Sequence, residues 1–176
     1  MQSILRGTVH PSSPPMQLNR FTDLGLRVLM YLTHRDRDQP VTISEIAERF
    51  AVSRNHLVKV VHFMGLQGWL NNSRGKGGGL ALAQPPEHYR LGQVIRVLEG
   101  NAPLIDCAEP PCALRQDCQL KALLDVGMQA FFSTLDGYTL RDIIASPTGE
   151  AIIRLHRRPN PQQALPASPD NTHHQS

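Results

Sequence analysis

The stretch from Val41 to Ala83, VTISEIAERFAVSRNHLVKVVHFMGLQGWLNNSRGKGGGLALA, decides the fold. Its first part sets Ile43, Ile46, Ala47 and Phe50 at helical spacing behind Thr42 and Ser44. Either of these can cap a helix by offering a side-chain oxygen to a free backbone N–H. Only Ala51 and Val52 separate this segment from a second one, in which Ser53 is a capping residue and Leu57, Val60, Val61 and Met64 fall on one side. Beyond Trp69, the glycines at 75, 77, 78 and 79 permit a tight reversal between two short extended runs, the pattern of a β-hairpin. Upstream, FTDLGLRVLMYLTHR places Leu24, Val28 and Leu32 on one helical face with Leu29 beside it, and Thr22 is the expected N-cap. Three helices, the last two joined by a very short turn, followed by a Gly-rich hairpin, outline a winged helix-turn-helix in a mainly α protein.

That outline assigns faces. In such a unit the start of the third helix enters the major groove of DNA, so Ser53, Arg54, Asn55, His56 and Lys59 are the candidates for base and phosphate contact. The wing offers Arg74, Lys76 and the bare backbone at Gly77, where a chain without side chains can approach phosphate closely. A polar helix face is often only solvated and a Gly run only a loop, so the order and spacing of the pieces carry the reading. Between Val41 and Gln84 there are five Lys or Arg against two acids, a more basic balance than the +3 of the 176-residue chain. His56 and His62 read as groove-facing and packing residues rather than metal ligands.

The rest of the chain holds three cysteines, all between Cys107 and Cys118. LGQVIRVLEG repeats helical spacing at Leu91, Val94, Ile95 and Leu98, with Gly100 as the expected C-cap. A loop broken by Pro103, Pro110 and Pro111 then carries Cys107-x4-Cys112-x5-Cys118. Three thiols cannot all pair within one chain, and a reducing compartment disfavours disulfides, so metal ligands or redox thiols are the better reading. Zinc sites favour a tighter C-x2-C clamp, whereas an iron-sulfur centre is held by thiolates and tolerates wider gaps. Leu120, Leu123, Leu124, Met128, Phe131, Phe132 and Leu135 form a wide stripe on a long helix that needs a partner. TLRDII offers a further turn of helix.

The boundaries expected are a disordered leader at 1–15, a DNA-binding unit at 16–100, a cluster-binding loop at 101–118, a dimerisation helix region at 119–144 and a disordered tail at 145–176. Met16 is an alternative start. A mean hydropathy of -0.28 and the lack of a long uncharged apolar run exclude a membrane span. The N-terminus has no signal-peptide pattern, which points to the cytoplasm. An enzyme is disfavoured: no nucleophile-base pair and no phosphate-binding G-x4-G-K-S/T loop is present, and RGKGGGLAL lies in a hairpin rather than between strand and helix.

FTDLGLRVLMYL, VSRNHLVKVVHFMGLQGWL, RGKGGGLALA and the C-x4-C-x5-C loop together resemble the NsrR-type nitric-oxide-sensing repressors of the bacterial iron-sulfur winged-helix regulator family, over residues 16–144. The resemblance implies a homodimer held by the long C-terminal helix, which supplies the partner for the apolar stripe. It implies a [4Fe-4S] cluster, with [2Fe-2S] as the alternative, bound by Cys107, Cys112 and Cys118 and by Asp23 of the partner subunit. From the residues alone, Asp23 is a first-turn acid four residues before Arg27, hence a dipole-stabilising group with an i,i+4 ion pair. Regulators of cluster assembly use a histidine three positions after the last cysteine and lack the FTD sequence; here that position is Lys121. The function implied is repression at a palindromic double-stranded operator, released when nitric oxide nitrosylates the cluster. The alternatives are a related regulator responding to iron or oxidative stress, and a zinc-stabilised DNA-binding module that does not switch.

Overall fold

The computed structural model describes residues 17–37, 39–73, 78–100, 104–108, 110–145 and 147–157. Helices α1 (Arg20–Tyr31), α2 (Ile43–Arg49) and α3 (Arg54–Leu66) precede a two-stranded antiparallel wing of β1 (Leu70–Asn72) and β2 (Leu80–Leu82). Then come α4 (Leu91–Glu99), the long α5 (Gln119–Asp136), the short α6 (Leu140–Ile143) and α7 (Thr148–Arg157). The mainly helical winged architecture follows the pattern in the sequence.

The core forms where the predicted stripes meet. Val28 and Leu29 of α1, Ile46 of α2, and Leu57, Val60 and Met64 of α3 are all buried. Each such side chain contributes about 1.5–3 kcal/mol relative to exposure. The wing is anchored at its base: Leu70 pairs with Leu82, both buried, and the Leu80 amide donates to the Val41 carbonyl at 2.8 Å. Leu80 thereby joins the hairpin to the segment just before α2.

The cap of α1 differs from expectation. Asn19, not Thr22, caps α1: its Oδ1 accepts from the Thr22 amide at 2.8 Å, and the helix starts at Arg20. Thr22 lies inside the first turn and points into the core. Of the two candidates ahead of α2, Thr42 is the cap, accepting from the Glu45 amide at 3.1 Å. Ser53 occupies the N-cap position of α3 without a side-chain capping bond, and Gly100 caps α4 in the left-handed region at φ 75°.

Helix α5 is keyed to α4 rather than sunk in the core. A Cβ at Gly92 would collide with Asp136 Oδ1 and fall 2.6 Å from the Phe132 carbonyl oxygen, so only glycine admits this approach. Arg96 spans the same junction. It donates to both Asp136 oxygens at 3.1 and 2.7 Å, and its guanidinium lies 4.7 Å from the Phe132 ring centre. That hydrogen bonding raises the Arg96 pKa and lowers that of Asp136.

The segment expected to be a disordered tail contains α7, whose Ile152 is buried, while Leu155 packs on the core. The correction covers residues 148–157 only. The expected leader and the rest of the tail lie outside the described residues. Among the described residues, no helix is long and apolar enough to cross a membrane.

Candidate functional site

The residues expected to read DNA are displayed as a unit. Ser53, Arg54, Asn55, His56 and Lys59 are all exposed at the start of α3, while Leu57, Val60 and Val61 on the opposite side are buried. This is the division that a groove-reading helix needs, because the buried side fixes its angle and the exposed side is free to meet base edges. Arg54 Nε donates to Ser44 Oγ at 3.1 Å, tying the start of α3 to the first turn of α2. Arg74, Lys76 and Gly77, the expected wing contacts, lie outside the described residues.

The turn between α2 and α3 is built by backbone hydrogen bonds. The Ala51 amide donates to the Glu48 carbonyl at 3.2 Å and the Val52 amide to the Ala47 carbonyl at 2.9 Å. This paired pattern closes a helix through a left-handed residue, here Ala51 at φ 51°. Alanine pays a steric penalty in that region, so the surrounding packing must hold the turn.

The cysteine loop connects the DNA-binding unit to α5. Cys107, Cys112 and Cys118 are all free thiols; Cys112 is exposed and the other two are half-buried. The Cys112 amide donates to the Cys107 carbonyl at 3.3 Å, folding the first two into one turn, and Cys118 occupies the N-cap position of α5. Lys121, one turn into α5, has its pKa raised by its bond to Asp125 first, and more weakly by Cys107 and Cys118. Among the described residues, no group of three His, Cys, Asp or Glu side chains is placed to hold a metal ion. The donor set fits a thiolate-held cluster by chemistry, since three soft, uncommitted ligands share one loop. Their side chains are not gathered.

Asp23 forms the ion pair expected from spacing, with Arg27 Nε 2.8 Å from Oδ1. Only that oxygen is engaged by Arg27, and the side chain remains about half exposed. Arg27 continues to the helix-turn-helix, with its guanidinium 5.8 Å from the ring centre of Phe50, which ends α2. A second connection was not read from the sequence. Asn19, through its amide and Nδ2, donates to both Glu99 oxygens at 2.9 and 3.0 Å. The start of α1 is therefore tied to the end of α4, immediately before the cysteine loop. Asn19 ahead of a helix is a capping signal, but a contact across 80 residues leaves no local trace.

The Rrf2 family, described as iron-dependent transcriptional regulators, matches residues 18–146. The chain belongs to the Rrf2 family. Rrf2 proteins are DNA-binding transcriptional regulators rather than enzymes, and are typically dimeric. Among solved structures, IscR of T. potens is similar at 24% identity over 74% of this chain and 87% of its own, with a TM-score of 0.59. The global cysteine regulator CymR of B. subtilis is similar at 23% identity over 73% and 95%, with a TM-score of 0.56. The oxidized form of CymR from Staphylococcus aureus is similar at 26% identity over 74% and 97%, with a TM-score of 0.58. The winged architecture is thus shared with proteins of different names. The Rrf2 match ends before α7.

Proposed function

We propose that this protein is a homodimeric transcriptional repressor that responds to nitric oxide through an iron-sulfur cluster, of [4Fe-4S] type, held by Cys107, Cys112 and Cys118 and by Asp23 of the partner subunit. The observation that carries this reading is the set of three free cysteines in one loop at the root of α5, in a chain of an iron-dependent family. Lys121 stands three positions after the last of them, so this chain has no histidine there to serve as a ligand. When bound, the cluster would supply an iron with one carboxylate donor from Asp23 of the partner subunit, harder than thiolate and therefore open to exchange for nitric oxide.

This chain's own residues would convert that exchange into a change at DNA. Asp23 keeps Oδ2 free for a ligand while Arg27 holds Oδ1, and Arg27 rests on Phe50 at the turn that orients α3. Movement of Asp23 is therefore felt at Arg27 and at that turn. On the other side, Cys118 begins α5, which is locked to α4 through Gly92 and the Arg96–Asp136 pair. Two subunits must meet two half-sites of a palindrome together, so a small relative shift of the two α3 helices lowers affinity steeply.

The test is operator binding by the anaerobically purified, iron-sulfur-loaded dimer before and after stoichiometric nitric oxide, with absorption spectra and iron and sulfide counts in parallel. Affinity should fall with nitric oxide, and Asp23→Ala should alter the spectrum while the three cysteines retain the cluster. Unchanged affinity sinks the nitric-oxide reading. A colourless, zinc-loaded protein replaces it with a non-switching module.

A further inference from the structure

His156, near the end of α7, inserts its ring against α1. It stacks on Tyr31 with ring centres 3.8 Å apart and planes inclined by 15°. Its Nε2 lies 2.9 Å from the Tyr31 carbonyl oxygen, and its Nδ1 lies 2.9 Å from Arg37 Nη1. These partners fix the state of the ring. A carbonyl only accepts, so Nε2 carries the hydrogen; a guanidinium only donates, so Nδ1 presents its lone pair. His156 is therefore bonded as the neutral imidazole. Protonation would set an N–H against an N–H and a cation beside a cation.

The groups around the ring come from every element packed on it. From α1 there is Tyr31, whose Oη donates to Glu45 at 2.6 Å; from the connection to α2 there are Arg37 and His34, the latter with its ring centre 4.6 Å away. From α2 come Glu45 and Arg49, which both act on Tyr31. On α7 itself Glu150 and Arg154 pair at 3.8 Å in solvent, and Arg157 is exposed. Besides the Tyr31 carbonyl, Glu45 favours a charged His156, but Arg37 already engages both of its oxygens, at 2.7 and 3.0 Å.

We propose that His156 makes α7 an acid-released clamp, which docks on the turn between α1 and α2 while the imidazole is neutral and lets go when it is protonated. Buried Ile152 and the packed Leu155 supply the apolar part of the dock. Burial first, then the neighbouring His34 and Arg37, hold the His156 pKa below its ordinary 6.5, against the opposing pull of the Tyr31 carbonyl and Glu45. The undocked form thus binds the proton more readily. The docking stability is complete above that ordinary value and is lost as pH falls from it through the depressed one. Release reaches the DNA-reading surface by a short route, because Glu45 follows Ser44, which receives the hydrogen bond from Arg54. Helix α7 lies beyond the residues matched to the family.

Hydrogen exchange on the full chain tests this, with rates corrected for intrinsic chemistry at about pH 8 and about pH 5.5, on either side of the ordinary histidine range. Protection of residues 147–157 and 31–45 should fall together on acidification, by up to about tenfold at about pH 5.5, which lies about one unit below the ordinary histidine value. His156→Gln, which keeps an N–H for the Tyr31 carbonyl but cannot titrate, should abolish the acid response, whereas His34→Gln should retain it. Should the Gln variant fail to dock, the wild-type response and the His34 variant still decide. Wild-type protection that is equal at both pH values overturns the clamp, as does a response that survives His156→Gln or vanishes in His34→Gln.

Discussion

Thr22 is fully buried, and its Oγ1 has no hydrogen-bond partner among the described residues. A hydroxyl desolvated without a partner costs roughly 1–3 kcal/mol, and valine has nearly the same shape without that cost. Thr22→Val should therefore raise stability by about 1 kcal/mol, read as a higher thermal midpoint; a lower midpoint would mean that Oγ1 has a partner in solution. The same residue shows what a sequence can and cannot say at this scale. Asn19 and Thr22 both carry capping chemistry, and the choice between them depends on Glu99, far along the chain, which holds Asn19 in place. The Asp23–Arg27 pair was legible because helix geometry alone brings residues four apart together. Ala51 was not. A left-handed turn ordinarily announces itself with glycine, as Gly68 does at φ 72° after α3, and alanine hides it.

At the scale of elements, the contact of α4 with α5 is the joint on which the proposed coupling between cysteine loop and DNA surface would depend. Gly92→Ala would place a methyl group against Asp136 and the Phe132 carbonyl, forcing the two helices apart. Overpacking of this kind costs about 1–3 kcal/mol, with loss of the Arg96–Asp136 geometry as a further consequence. The expected result is a lower thermal midpoint and weaker operator affinity in a chain that retains α3 and all three cysteines. Wild-type stability and affinity would show that α5 is free to shift on α4. Helices α1 to α5 were legible because each carries an apolar face at the helical period. Helix α7 was not, although Ala151, Ile152 and Leu155 give it a short apolar face, because the Pro-, Gln- and Ser-rich sequence after it dominates the composition and its His156 partners lie 119 and 125 residues away. The cysteine loop was legible as a ligand set from its composition, but its geometry is not dictated by any local period.

For the whole molecule, α5 is the element that a single chain leaves unfinished. It runs 18 residues without one that is fully buried. Its half-buried side, including Leu124, Met128 and Phe132, faces the rest of the chain, while Leu120, Leu123 and Phe131 form an outward stripe at 61, 68 and 44% exposure. Gly127 lies on that same stripe with nothing near it, which lets a second helix approach closely. Large apolar residues at helical spacing on an open face are the signature of an association surface, and in the proposed dimer a second copy of α5 would meet it with the same residues under two-fold symmetry. In that dimer Leu123→Glu would remove one interface leucine per subunit and oppose two carboxylates across the axis. At about 1.5 kcal/mol or more for each lost leucine, the dimer dissociation constant should rise by about a hundredfold or more. Because Leu123 touches little within its own chain, far-UV circular dichroism should be unchanged while sedimentation shifts toward monomer. Operator affinity should fall with the dimer, since one winged unit engages only one half-site. A variant that sediments as the wild type would move the interface off this stripe, and with it the route by which Asp23 could reach a cluster in the other subunit.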